Sequence, residues 1–113
     1  MVEDVLEYNG QSWTLDGDEH LADPDQWSAA FAEAMAARQG LKLSADHWWL
    51  LRWVREYWLE YNNAPLMRSV VVAYRAHRDD PSLGSAALYR LLADHPVRQA
   101  CQLGGVPKPD WCI

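Results

Sequence analysis

Only two cysteines occur among the 113 residues, too few for the disulfide framework that holds small secreted domains together. Basic side chains are scarce as well. Ten Lys and Arg stand against sixteen Asp and Glu, a formal charge of −6. Direct recognition of nucleic acid needs a basic face for the phosphates, so this balance opposes it. No apolar run approaches the ~20 residues of a membrane span, and membrane insertion is not expected. The N-terminus is acidic and polar, unlike the basic-then-apolar order of a signal peptide, and a cytoplasmic location is expected. Four histidines, His20, His47, His77 and His95, show no metal-ligand spacing of the His-x-x-x-His kind. Neither a metal nor another cofactor is expected. Internal repeats and low-complexity segments are absent.

What remains is a chain that is half hydrophobic and carries seven tryptophans. That suffices for one domain with a modest core. Val5, Tyr8, Trp13 and Leu15 flank Asn9-Gly10, a strong hairpin dipeptide. Asp23-Pro24 reads as an N-cap and first helical residue. Helices are expected over 24–38, 45–61, 65–77, 82–92 and 96–103, the second capped by Ser44 and the last closed by Gly104 at C′. The fold class is therefore α+β, mostly α: an N-terminal β-hairpin on a bundle of about five helices. The boundaries expected are a domain over 1–103 and a mobile C-terminal arm over 104–113. Aromatics at helical spacing on 45–61 (Trp48, Trp49, Trp53, Tyr57, Trp58) read first as core, with a docking surface as the alternative. His47 reads as a local structural hydrogen-bonder.

The two cysteines lie close to the end of the chain. Cys112 is the penultimate residue, and Cys101 precedes it across Gly104-Gly105-Val106-Pro107-Lys108-Pro109. The eleven peptide steps between them span roughly 36–40 Å when extended, whereas a disulfide needs the two Cα atoms within about 4.4–6.8 Å. One segment can serve as a long arm or as a closed loop. Gly104 and Gly105 suggest a pivot, and Pro107 and Pro109 a stiff finger. Lys108 would favour a thiolate at Cys112, while Asp110 and the carboxylate of Ile113 would oppose it. The helix dipole near Cys101 also disfavours a thiolate. Such a thiol suits a carrier activated in a partner's site better than a self-contained enzyme.

At these residues the sequence resembles the DsrC/TusE family of sulfur-relay proteins. The tail Gly104–Ile113 is similar to the family's Ala-Gly-Leu-Pro-Lys-Pro, two variable residues, Cys, then Val or Ile. Leu43-Ser44-Ala45-Asp46-His47-Trp48 matches the family's Leu-(Ser/Thr)-x-(Glu/Asp)-His-Trp. Val54–Tyr61 matches its (Leu/Val)-Arg-(Glu/Asp)-(Tyr/Phe)-Tyr-x-Glu-(Tyr/Phe), and Pro65 with Arg68 its Pro-x-x-Arg. Two features depart from the pattern. A longer basic stretch shrinks to Arg78–Ser85, and Trp111 stands immediately before the terminal cysteine.

The resemblance implies a sulfur carrier that acts as a protein co-substrate. Cys112 would take up sulfur as a persulfide or trisulfide, and Cys101 would release it by forming a Cys101–Cys112 disulfide. The presence of both cysteines is similar to the DsrC branch, which serves dissimilatory sulfite reductase. The implied partners are a sulfur-donor sulfurtransferase and sulfite reductase or another sulfur-accepting protein. Arg98, three residues before Cys101 on the same helix face, is a candidate to bind the tail carboxylate or an anionic sulfur species. Arg68 and Lys108 are further binding candidates. Two rival readings stand beside this one: TusE-like sulfur transfer toward tRNA 2-thiouridine, and a redox-responsive regulator whose tail docks when oxidised.

Overall fold

The computed structural model describes residues 4–109, and Asp110, Trp111, Cys112 and Ile113 lie outside them. Strands β1 (Asp4–Tyr8) and β2 (Gln11–Leu15) pair antiparallel, with Leu6 opposite Trp13. Asn9 and Gly10 both take positive φ, 50° and 80°, the two-residue turn that matches strand twist. The pairing puts Leu6, Trp13 and Leu15 on one buried face. Trp13 meets Phe31 edge-on at 5.7 Å between ring centroids. A bridge from Leu15 to Leu21 then turns the chain toward the helices.

The helices are α1 (Ala29–Arg38), α2 (Ala45–Tyr61), α3 (Met67–Arg78), α4 (Ser85–Leu91) and α5 (Pro96–Leu103). The hairpin and five helices are those expected, and α2 and α5 have the expected limits. The other three start late, each for a local reason. Pro24–Gln26 is a separate 3₁₀ turn, with the Asp23 carboxylate accepting from the Asp25 N–H. Trp27 is then extended, and the Ser28 hydroxyl caps α1 by accepting from the Phe31 N–H. A second good N-cap thus splits the expected 24–38 helix in two. Before α3, Leu66 is extended and the helix begins at Met67 rather than at Pro65. Before α4, the Asp80 carboxylate accepts from both the backbone and the hydroxyl of Ser82, a turn that competes with helix.

Helix α5 packs against α1, α2, α3 and α4. Its buried face carries Val97, Ala100, Cys101 and Leu103, which join Phe31, Leu50, Leu51, Val54 and Leu88 in the core. The central position of α5 fixes where its C-terminus lies against the body. Among the described residues no helix is long and apolar enough to cross a membrane.

Candidate functional site

Cys101 begins the last turn of α5 and is wholly buried. Burial alone pushes its thiol up to about 12, because the thiolate loses its hydration there. The end of the helix is a complete Schellman motif. Gly104 is the C-cap at φ −83°, and Gly105 takes the left-handed conformation at φ +70°. The Val106 N–H donates to the Cys101 carbonyl at 3.0 Å, and the Gly105 N–H to that of Gln102 at 3.4 Å. The left-handed C′ residue is therefore Gly105, one position later than expected.

Neither glycine is a free pivot in this structure. A Cβ on Gly104 would lie 2.8 Å from the Leu51 carbonyl oxygen, so glycine here lets α5 approach α2. A Cβ on Gly105 would lie 2.8 Å from Cγ and 2.9 Å from Cβ of Trp27. Gly104, Gly105 and Val106 are all buried.

Three side chains from separate parts of the chain hold the carbonyls that follow. The Trp27 indole donates to the Leu103 carbonyl at 2.9 Å. Arg55 donates to the Gly104 carbonyl at 3.1 Å and to the Pro24 carbonyl at 2.7 Å. Its guanidinium also lies over the Trp27 ring, 4.9 Å from the centroid, within cation–π range. His20 Nδ1 meets the Val106 carbonyl at 2.9 Å. Because the partner is a carbonyl, that nitrogen must carry the proton. The other ring nitrogen, Nε2, is buried and has no hydrogen-bond partner among the described residues. Burial holds the His20 imidazole below its ordinary value, against the opposing effect of the Val106 bond. Outside this trio, Gln102 donates to the Glu19 carbonyl at 2.9 Å.

Of the site residues expected from sequence, Cys112 lies outside the described residues, as does the neighbouring Trp111. Arg98 and Arg68 are exposed, on α5 and α3. Among the described residues neither makes a side-chain hydrogen bond or ion pair, and nothing joins them to each other or to Cys101. Lys108 is exposed and pairs with Asp18 at 3.7 Å. No group of three or more candidate metal ligands forms among the described residues.

His47 does structural work. Its Nδ1 accepts from the Ser44 N–H at 3.0 Å, completing a capping box. Its Nε2 reaches the Leu91 carbonyl at 2.7 Å and ties α2 to the end of α4. The aromatic stripe is divided. Trp49, Trp53, Tyr57 and Tyr61 stack in series along α2, with successive centroids 6.2, 5.5 and 4.5 Å apart. Their exposure rises to 60% at Tyr61. This ladder lies about 200° around the helix from Leu51 and Arg55.

Sequence reasoning missed Trp27, Arg55 and His20 as a set. One signal was available. Arg55 is four residues beyond the fully buried Leu51, so it shares the inward face of α2. A cation placed there has to find buried acceptors.

Comparison with known proteins agrees with this architecture. The family described as "DsrC like protein" matches residues 7–113. The sulfurtransferase TusE of Salmonella paratyphi A is 39% identical over 109 residues, covering 96% of this chain and all of that protein. The NMR structure of Allochromatium vinosum DsrC superposes with a TM-score of 0.87 at 31% identity, over 99% of this chain and all of the other. The oxidised gamma-subunit of dissimilatory sulfite reductase (DsrC) from Archaeoglobus fulgidus gives 0.83 at 30% identity, over 97% and 100%.

Proposed function

Because the chain belongs to the DsrC/TusE family of sulfur-transfer proteins, we propose that it carries sulfur on Cys112 and discharges it through Cys101. A donor sulfurtransferase passes the outer sulfur of its own persulfide to the Cys112 thiol, keeping a thiol itself and leaving Cys112 as a persulfide. A single sulfur delivered by sulfite reductase, two electrons more oxidised than sulfane sulfur, instead bridges Cys112 and Cys101 as a trisulfide. For the persulfide, the Cys101 thiolate attacks the Cys112 sulfur and expels hydrosulfide. The two cysteine sulfurs are oxidised to a disulfide, and the sulfane sulfur is reduced to sulfide. A cellular dithiol reductase then restores both thiols. The observation that carries this reading is the family match, which extends to residue 113 and so takes in both cysteines. The position of Cys101 supports it: the thiol sits on the helix from which the segment bearing Cys112 departs.

The test is mass spectrometry after incubation with a sulfur donor. One added sulfur is expected on the native chain and on Cys101→Ser, and none on Cys112→Ser. Loading that survives Cys112→Ser rejects the reading.

A second reading rests on the 39% identity to a TusE: the same carrier delivering sulfur toward tRNA thiolation. Thiolated-nucleoside levels in a deletion strain separate the two. An unchanged level leaves sulfite reductase or a related sulfur enzyme as the partner.

A further inference from the structure

A helix end on a protein surface ordinarily gives its last carbonyls to water. Here the carbonyls of Leu103, Gly104 and Val106 go instead to Trp27, Arg55 and His20. Those donors come from the extended link before α1, from α2 and from the turn after β2. The backbone N–H of Val106 closes the arrangement on the carbonyl of Cys101 itself. The residues that lead toward Cys112 are thereby fastened at the C-terminal end of the helix that holds the Cys101 thiol, and that thiol is fully buried. A sealed thiol cannot attack anything, so some opening must precede its chemistry.

We propose that Trp27, Arg55 and His20 form a latch on residues 103–106, and that release of this latch, without unfolding of the body, exposes the Cys101 thiol. The three are positioning residues for the discharge step, and the proposal rests on the reading of Cys101 as the discharging thiol.

Three features suit the latch to open locally. First, its bonds join side chains to backbone carbonyls, and water replaces such bonds when the segment lifts. Second, two of the four latched residues are glycines, so only Leu103 and Val106 contribute apolar side chains to the surface lost. Third, the arrangement contains its own weakness. Among the described residues His20 Nε2 is buried without a partner, a cost borne only while the latch is shut. Among the described residues the core of α1, α2 and α5 beneath it has no buried side-chain N or O atom without a partner, and small regions with few apolar contacts open well before a whole domain does.

The test uses the full chain with Cys112→Ser, which leaves Cys101 as the single thiol. Its alkylation by iodoacetamide is followed at fixed pH across sub-denaturing urea, beside the global urea transition of the same protein. The expected alkylation rate depends on urea much more shallowly than global unfolding does. Trp27→Phe keeps an aromatic ring and deletes the N–H, and Arg55→Lys keeps the charge and loses the fork. Each should raise the alkylation rate at least ten-fold, while the slope of the global transition stays unchanged. Alkylation that follows the full global slope in all three proteins overturns the latch, as does a rate that neither substitution moves. No sulfur donor enters this measurement, so it fails or succeeds independently of sulfur loading on Cys112.

Discussion

The indole N–H of Trp27 donates to the carbonyl of Leu103 across 76 positions of sequence, at 2.9 Å. That bond joins the link before α1 to the last residue of α5. It depends on a chain break in the helical run: Trp27 is extended at φ −64°, ψ 142°. Had 24–38 been one helix, the indole would have projected from a different backbone. The local competition won by Ser28 as an N-cap thus sets up a long-range contact.

Gly105→Ala should destabilise the protein by ~2–4 kcal/mol, through the left-handed conformation and overlap with the Trp27 ring. Gly104→Ala should cost ~1–3 kcal/mol through its approach to the Leu51 carbonyl. Urea unfolding of the two variants checks both values. Losses under ~0.5 kcal/mol would return the pair to the role of a simple hinge.

The Cys101 thiol makes stability fall in alkali. Its folded value is raised to about 12 from an ordinary 9.0. Between those values the unfolded chain has released the proton and the folded chain has kept it. The unfolded state then binds fewer protons, so the slope of stability against pH is negative, up to roughly 1.4 kcal/mol per pH unit for this group. Urea midpoints from pH 8 to 10.5, measured on the native chain and on Cys101→Ala, isolate the contribution. Identical slopes would mean the thiol is less buried than the structure has it.

His20 acts at the acid end. Burial depresses its folded value, with Asp16 and Asp18 opposing the shift and Arg98 adding to it. Below the ordinary histidine range the unfolded imidazole takes up a proton that the folded one refuses. Stability contributed by neutral His20 is therefore full above about pH 6.5 and declines as pH drops below it. His20→Asn should flatten the stability profile between pH 7 and 5. The measurement is the difference in urea midpoint between the two proteins over that window.

His47→Ala removes a capping interaction and leaves the Leu91 carbonyl without its partner. A loss of ~1–3 kcal/mol is expected, with sulfur loading on Cys112 unchanged in mass spectrometry. A loading defect in a variant of normal stability would give His47 a chemical role instead.

The limits of α2 and α5 were legible because their caps are local: Ser44 and Pro96 announce the starts within a few residues. The starts of α1 and α4 were obscured by local signals of equal strength, Ser28 against Asp23 and Asp80 against Pro81. Cys101 could be singled out from sequence by its distance from Cys112 and its neighbours in the chain. The three donors around residues 103–106 could not, since they lie 76, 49 and 86 positions from their acceptors. Gly104 and Gly105 looked like a swivel because glycine signals backbone freedom and close packing with the same letter. Only the approach of Leu51 and Trp27 tells the two apart.

The stacked rings of α2 have a photophysical consequence. Trp49 and Trp53, 6.2 Å apart, pass excitation between them before either emits. Bulk ultraviolet emission from seven indoles is therefore a pooled signal in which any one ring is diluted. A fluorine label on the tryptophans, with the Trp27 resonance assigned by its absence in Trp27→Phe, gives a reporter that ring-to-ring transfer does not blur.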